Sequence, residues 1–154
     1  MSSLQPEQGA QAHGFGLRRL QIEIDAIVLS VTAARLVEKI NRGFKFTIGE
    51  PLMKEALNQG RLIKKGVRAY GAADKLKYFN AAASALDALA YCVEVALCAG
   101  KVTAEEKSVF DLQFNAVQSQ LQAFAATQTK RLSNGRNRPA KQSFDGNASE
   151  VTSE

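Results

Sequence analysis

Tryptophan is absent from the 154-residue chain, histidine occurs once, cysteine twice and proline three times. Each shortage closes a class of function. His13 is the sole imidazole and stands in a Gly/Gln/Ser-rich N-terminal stretch, so no Ser-His or Cys-His pair can be assembled from ordered residues, and nucleophilic catalysis has no support. Cys92 and Cys98 are six residues apart in an apolar stretch, a spacing that fits neither CxxC nor a helical i, i+3 or i+4 pair. They are expected as small core residues, without disulfide or zinc site. No GxxxxGK[ST] phosphate loop and no GxGxxG after a strand occur, and no cofactor is expected. Residues 1–16 lack a basic segment before an apolar one and do not read as a secretory signal, so the expected location is cytoplasmic. The most apolar stretch, residues 81–100, has membrane-spanning length but carries Asp87 and Glu94, costly at mid-bilayer, and is expected to be a buried helix.

What is there is helical. Apolar residues make up 45% of the chain and charged residues 23%, the balance of a folded domain, and Ala, Leu, Lys, Glu and Gln favour helix. Residues 1–16 and 131–154 read as a disordered leader and tail around a single domain, 17–130. A first helix is expected from about Leu17 to Asn41, with Leu20, Ile24, Ile27, Val31 and Ala34 as its apolar stripe. Thr47 and Glu50 form a capping-box pattern that predicts a second helix to about Tyr70, with Met53, Leu57, Gly60, Ile63, Val67 and Tyr70 on one seam and Gly60 at a close approach. The third, about Ala73 to Ala99, is apolar on more than one face and ends at Gly100. Leu86, Ala90, Val93 and Leu97 on it are the expected contact between subunits. Thr103 and Glu106 cap a fourth helix, in which Phe110, Phe114, Val117, Leu121 and Phe124 repeat to about Thr129. Four amphipathic helices with short connections predict an all-α, up-down four-helix bundle.

Charge is unevenly placed. Residues 43–72 carry six basic and two acidic side chains, residues 130–144 five basic and none acidic, and residues 145–154 three acidic and none basic. Lys54, Arg61, Lys65 and Arg68 fall at steps of seven, four and three on one helical face, with Lys64 beside them. Such a face is either simply solvated or tracks phosphates through salt-dependent attraction, and the basic tail, Lys130, Arg131, Arg136, Arg138 and Lys141, adds to the second reading. No aromatic residue is interleaved among the four, which argues against base stacking as the main term. Asp87 and Glu94, seven apart, are expected to pair with Lys or Arg rather than hold a metal, since no Glu-x-x-His motif accompanies them.

The strings FKFTIGEPLMKEALNQGRLIKKGVRAY and KLKYFNAAASALDALAYCVEVALCAGKVTAEEKSVF resemble the four-helix-bundle family of the accessory variability determinant protein of diversity-generating retroelements, with its relatives from intervening sequences of ribosomal RNA genes. The resemblance spans about residues 18–128, and Phe46-Thr47-Ile48-Gly49 and the Leu97 to Glu106 junction carry it most specifically. It implies a homopentameric barrel that binds RNA or DNA as the non-catalytic partner of a reverse transcriptase, supporting template-RNA-dependent mutagenic cDNA synthesis. The third-helix arginines common in that family have no counterpart in residues 90–99, so basic contacts would fall to the second helix and the tail. The alternative is a helical homo-oligomeric or protein-interaction module that binds no nucleic acid.

Overall fold

A computed structural model describes residues 19–136. Among them are four long helices and no strand: α1 (Gln21–Glu38), α2 (Glu50–Arg68), α3 (Ala72–Cys98) and α4 (Ala104–Arg136). Helix α1 packs against α2 and α4, and α3 packs against the same two, so the helices stand at the corners of a square. Neighbouring helices run antiparallel: Ala26 meets Gln59 and Ser30 meets Ala56, Asp25 meets Gln120 and Thr32 meets Gln113, Gly66 meets Phe79, and Phe79 meets Phe124. This is the expected up-down four-helix bundle. The leader expected over residues 1–16 and the part of the tail beyond residue 136 lie outside the described residues.

Three boundaries differ from the sequence reading. Helix α1 is shorter than expected, its N-terminus held by Glu23, whose carboxylate accepts the Leu20 backbone N–H at 3.0 Å. The Thr47–Glu50 capping box does not form. A short turn, Arg42–Phe44, leads through a π-helical turn, Lys45–Gly49, straight into α2; Glu50 N–H donates to the Lys45 carbonyl, and the Thr47 hydroxyl donates to the Phe44 carbonyl at 3.5 Å. Pro51 supplies the reason: it has no N–H to give, and its ring would press on the carbonyl four residues back, so the backbone widens there. Helix α4 passes Thr129 and runs to Arg136, making Lys130, Arg131 and Arg136 helical rather than parts of a tail.

The α3–α4 junction matches expectation. Gly100 has φ +72°, its N–H donates to the Leu97 carbonyl at 3.0 Å, and the Lys101 N–H reaches the Ala96 carbonyl at 2.8 Å, closing α3 with paired bonds. Thr103 and Glu106 then cap α4 reciprocally: the Glu106 N–H donates to the Thr103 hydroxyl at 3.1 Å, and the Thr103 N–H to the Glu106 carboxylate at 3.3 Å. A hydrogen bond from Lys39 holds the Glu106 carboxyl below its ordinary value. Its contribution is therefore present above the ordinary carboxylate range and is lost as pH falls through the lowered value.

Inside, α4 buries Phe110, Val117 and Leu121 of its expected repeat with Phe114 and Phe124 half-buried, while α3 buries Phe79, Leu86, Leu89 and Val93. The first two helices are turned relative to the sequence reading. Helix α1 sends Ile22, Ala26, Leu29, Ala33 and Leu36 inward and leaves Leu20, Ile24, Ile27 and Val31 outside. It carries two apolar stripes of the same period, so periodicity cannot choose between them. The choice falls to polar partners: only this rotation sets Ser30 against Ala56 of α2 and Thr32 and Asp25 against α4. On α2 the buried seam is Leu52, Ala56, Gln59, Ile63 and Gly66, whereas Leu57 is partly exposed and Tyr70 wholly so. Gln59, buried to 0%, donates from its amide to the Ala26 carbonyl at 3.0 Å and to the Ser30 hydroxyl at 3.3 Å.

The close approach lies at Gly66, not Gly60. A Cβ on Gly66 would come within 2.6 Å of the Phe79 ring and 3.2 Å of Tyr78 Cβ, whereas one on Gly60 would meet only the Ser30 hydroxyl at an ordinary 3.8 Å. Gly66→Ala is accordingly expected to lower stability by about 1–3 kcal/mol, the usual cost of overfilling a packed contact, and Gly60→Ala to be neutral or stabilising by up to about 1 kcal/mol. Urea unfolding of the two variants checks both; equal midpoints would refute the assignment.

Candidate nucleic-acid interface

The antiparallel packing gathers the N-termini of α1 and α3 and the C-termini of α2 and α4 at one end of the bundle. Arg19 precedes α1 there, Lys64, Lys65 and Arg68 close α2, Lys75 and Lys77 open α3, and Lys130, Arg131 and Arg136 finish α4. The sequence separates these groups by more than a hundred residues; the fold brings them together. Of them only Lys75 has a hydrogen-bonded task among the described residues, its ammonium donating to the carbonyls of Gly66 at 3.2 Å and Val67 at 2.8 Å. That ammonium satisfies carbonyls α2 leaves open at its C-terminus, where a cation is also favoured by the helix dipole.

Lys54, Arg61, Lys64, Lys65 and Arg68 are all exposed, and none makes an ion pair among the described residues. The two ion pairs present there, Lys39–Glu106 at 3.0 Å and Lys107–Asp111 at 2.7 Å, both involve α4 and the opposite half of the bundle. Arg61, Lys64, Lys65 and Arg68 line one shallow groove with Ala69 and Tyr78, the last contributed by α3. Lys54 stands apart from it, in a separate hollow with Phe46, Glu50, Pro51 and Glu55. At 1.5 Å per residue it is about 21 Å along the axis from Arg68. The expected stripe thus divides into a cluster and an outlier. Arg138 and Lys141 lie outside the described residues, as does His13.

Sequence reasoning passed over Arg19, Lys77 and above all Tyr78. Tyr78 reaches the groove because Gly66 lets α3 approach α2, a contact between helices that no pattern within α2 can report. The expectation that no aromatic lies among the cations is therefore corrected. Tyr70, two residues after Arg68, was visible in the sequence but was assigned to the buried seam; it is 95% exposed.

A second surface is apolar. Outward on α1 lie Leu20, Ile24, Ile27, Val28 and Val31, each 41–45% exposed, continuous with Leu57 of α2 across a groove of about 420 Å³ whose rim holds Arg19, Arg61, Lys64 and Arg68. The subunit contact expected on α3 is corrected by the burial pattern. Leu86 and Val93 are sealed in the chain's own core, and Ala90 and Leu97 are half-buried, so those four cannot together meet another subunit.

No metal-binding group of three or more His, Cys, Asp or Glu residues occurs among the described residues. Asp87 and Glu94 are both exposed, and neither makes the expected ion pair among those residues. Helix α3 is long and apolar enough by length and composition to cross a membrane, and in the bundle it buries one stripe against α2 and α4. Cys92 is half-buried as expected, and burial, reinforced by Glu55, pushes its thiol above the ordinary value; Cys98, expected in the core, is exposed. No family model and no curated protein matches the chain. At neutral pH a thiol-reactive probe is expected to modify Cys98 well before Cys92, which Cys92→Ser and Cys98→Ser variants followed by mass spectrometry will show. Faster labelling of Cys92 would mean that the α2–α3 contact opens.

Proposed function

We propose that the protein is a nucleic-acid-binding, non-catalytic helical subunit that works as a homo-oligomer beside a reverse transcriptase of a diversity-generating retroelement. The observation that carries the nucleic-acid part is the basic end: cations from α2, α3 and α4 and from Arg19 ahead of α1, exposed and, Lys75 apart, without partners among the described residues. Like charges held together raise the free energy of the isolated protein, and a polyanion relieves that repulsion while releasing its own counterions. The polymerase partner, and the support of mutagenic cDNA synthesis on a template RNA, rest on the resemblance of residues 18–128 to the accessory variability determinant family.

The reading of the protein as an assembly module is favoured by a different observation, the outward face of α1. Five aliphatic side chains in a row, left about two-fifths exposed, form a surface of the kind that marks a protein contact. A second copy is the natural cover, and repetition of one such contact around a closed ring would give a barrel, a pentamer if the resemblance extends to stoichiometry. The two surfaces share a border, since Arg61, Lys64 and Arg68 rim the apolar groove beside α1 as well as lining the basic one.

Binding to DNA or RNA is expected to weaken steeply with salt. On duplex DNA the slope of log affinity against log salt should be about −0.9 per phosphate neutralised, and a Lys54, Arg61, Lys65, Arg68 quadruple Ala variant should flatten it by several units, with Lys54 contributing least. Identical slopes for variant and wild type would show a merely solvated face. Light scattering should give a mass several times 16.7 kDa, and Ile27→Glu with Val31→Glu, both on exposed positions, should bring it down to that of a single chain. A wild-type monomer at micromolar concentration would overturn the assembly reading.

A further inference from the structure

Tyr70 has no structural task. It sits in the Ala69–Gly71 connection between α2 and α3 with 95% of its surface exposed, so it buries nothing and its ring adds nothing to the core. Immediately before it stand Arg68 and Ala69, and Ala69 lines the groove that holds Arg61, Lys64, Lys65, Arg68 and Tyr78. One aromatic ring, Tyr78, thus lines the groove of cations that make no ion pair among the described residues, and a second, Tyr70, follows Arg68 by two positions on a connection free of core contacts. A phosphate backbone alone has no use for rings. Bases do, but only bases whose faces are open: in a duplex each is covered by its neighbours, whereas an unpaired base can leave the stack and lie on an aromatic side chain.

We propose that this end of the bundle takes single-stranded nucleic acid, with phosphates on Arg61, Lys64, Lys65 and Arg68 and bases stacked on Tyr70 and Tyr78. The inference rests on the nucleic-acid reading above and narrows it from polyanions in general to unpaired strands. Stacking tolerates any base, so sequence preference is weak. DNA and RNA share the chemistry of phosphate and base face, and the groove takes either.

The absence of tryptophan supplies a direct readout, because the protein's near-ultraviolet fluorescence comes from tyrosine, at positions 70, 78 and 91. Tyr91 is exposed near the far end of α3 and serves as the control; Tyr91→Phe leaves emission to the two rings in question. The experiment titrates the full chain carrying Tyr91→Phe with short oligo(dT), with oligo(U), and with a mixed-sequence DNA duplex of equal length. Single strands are expected to quench tyrosine emission and to bind more tightly than the duplex. Tyr70→Ala should lower single-strand affinity by roughly five- to a hundredfold while leaving duplex affinity unchanged, and Tyr70→Phe should restore it. Tyr78→Phe, which keeps the ring beside Gly66, should bind as wild type does. Binding of single strands and duplex with equal affinity, no quenching, and no effect of Tyr70→Ala would overturn this inference and leave the nucleic-acid reading standing. Failure of every probe to bind would remove both.

Discussion

The contact between Gly66 and Phe79 governs the spacing of α2 and α3, and much of the rest follows from that spacing. A glycine at that point lets a phenyl ring lie against bare backbone, so the two helices come closer than any side chain would allow. Phe79 is fully buried as a result and tilts against Phe124 with ring centroids 5.7 Å apart, which carries the same contact through to α4. One turn nearer the end of the bundle, the short separation lets Lys75 of α3 reach the last carbonyls of α2. Tyr78 comes to rest beside the α2 cations for the same reason.

The other side of the bundle is joined by polar atoms. Between α1 and α2 the Gln59 amide and the Ser30 hydroxyl bridge to backbone carbonyls, and sliding one helix by a turn would strand each of them in an apolar interior. The Gln59 carbonyl oxygen, buried without a partner among the described residues, shows that this arrangement carries a cost as well as a gain. Register between helices whose buried residues are mostly small and aliphatic is thus set by a few directed bonds, because Ala, Leu and Ile would pack nearly as well one step away.

Much of the architecture was legible in the sequence and the orientation of its parts was not. Helix number, the Gly100 stop and the Thr103–Glu106 cap are local features, each determined by residues within one turn of one another, and the structure matches them. The rotation of α1 was not readable, because Ile24 and Val31 repeat with the same period as Ile22 and Leu29 and only neighbours on other helices distinguish the two stripes. On α2 the buried seam contains Gln59 and Gly66, two residues that a hydrophobic pattern discards. The exposed cations of α2 were legible as a periodic set; their meeting with the start of α3 and the end of α4 required the fold.

Helix α4, at 33 residues against 18 for α1, is about 50 Å long and outreaches its neighbour at the end where its last cations lie. Charge so placed gives the molecule a permanent electrical polarity along its long axis. A polyanion several Debye lengths across therefore exerts a torque on the protein as well as a pull, turning it end-on before any contact forms. For the nucleic-acid partner proposed above, encounters would then begin from a narrow range of orientations rather than a random one, so fewer collisions would be wasted, and the gain would be one of association rate.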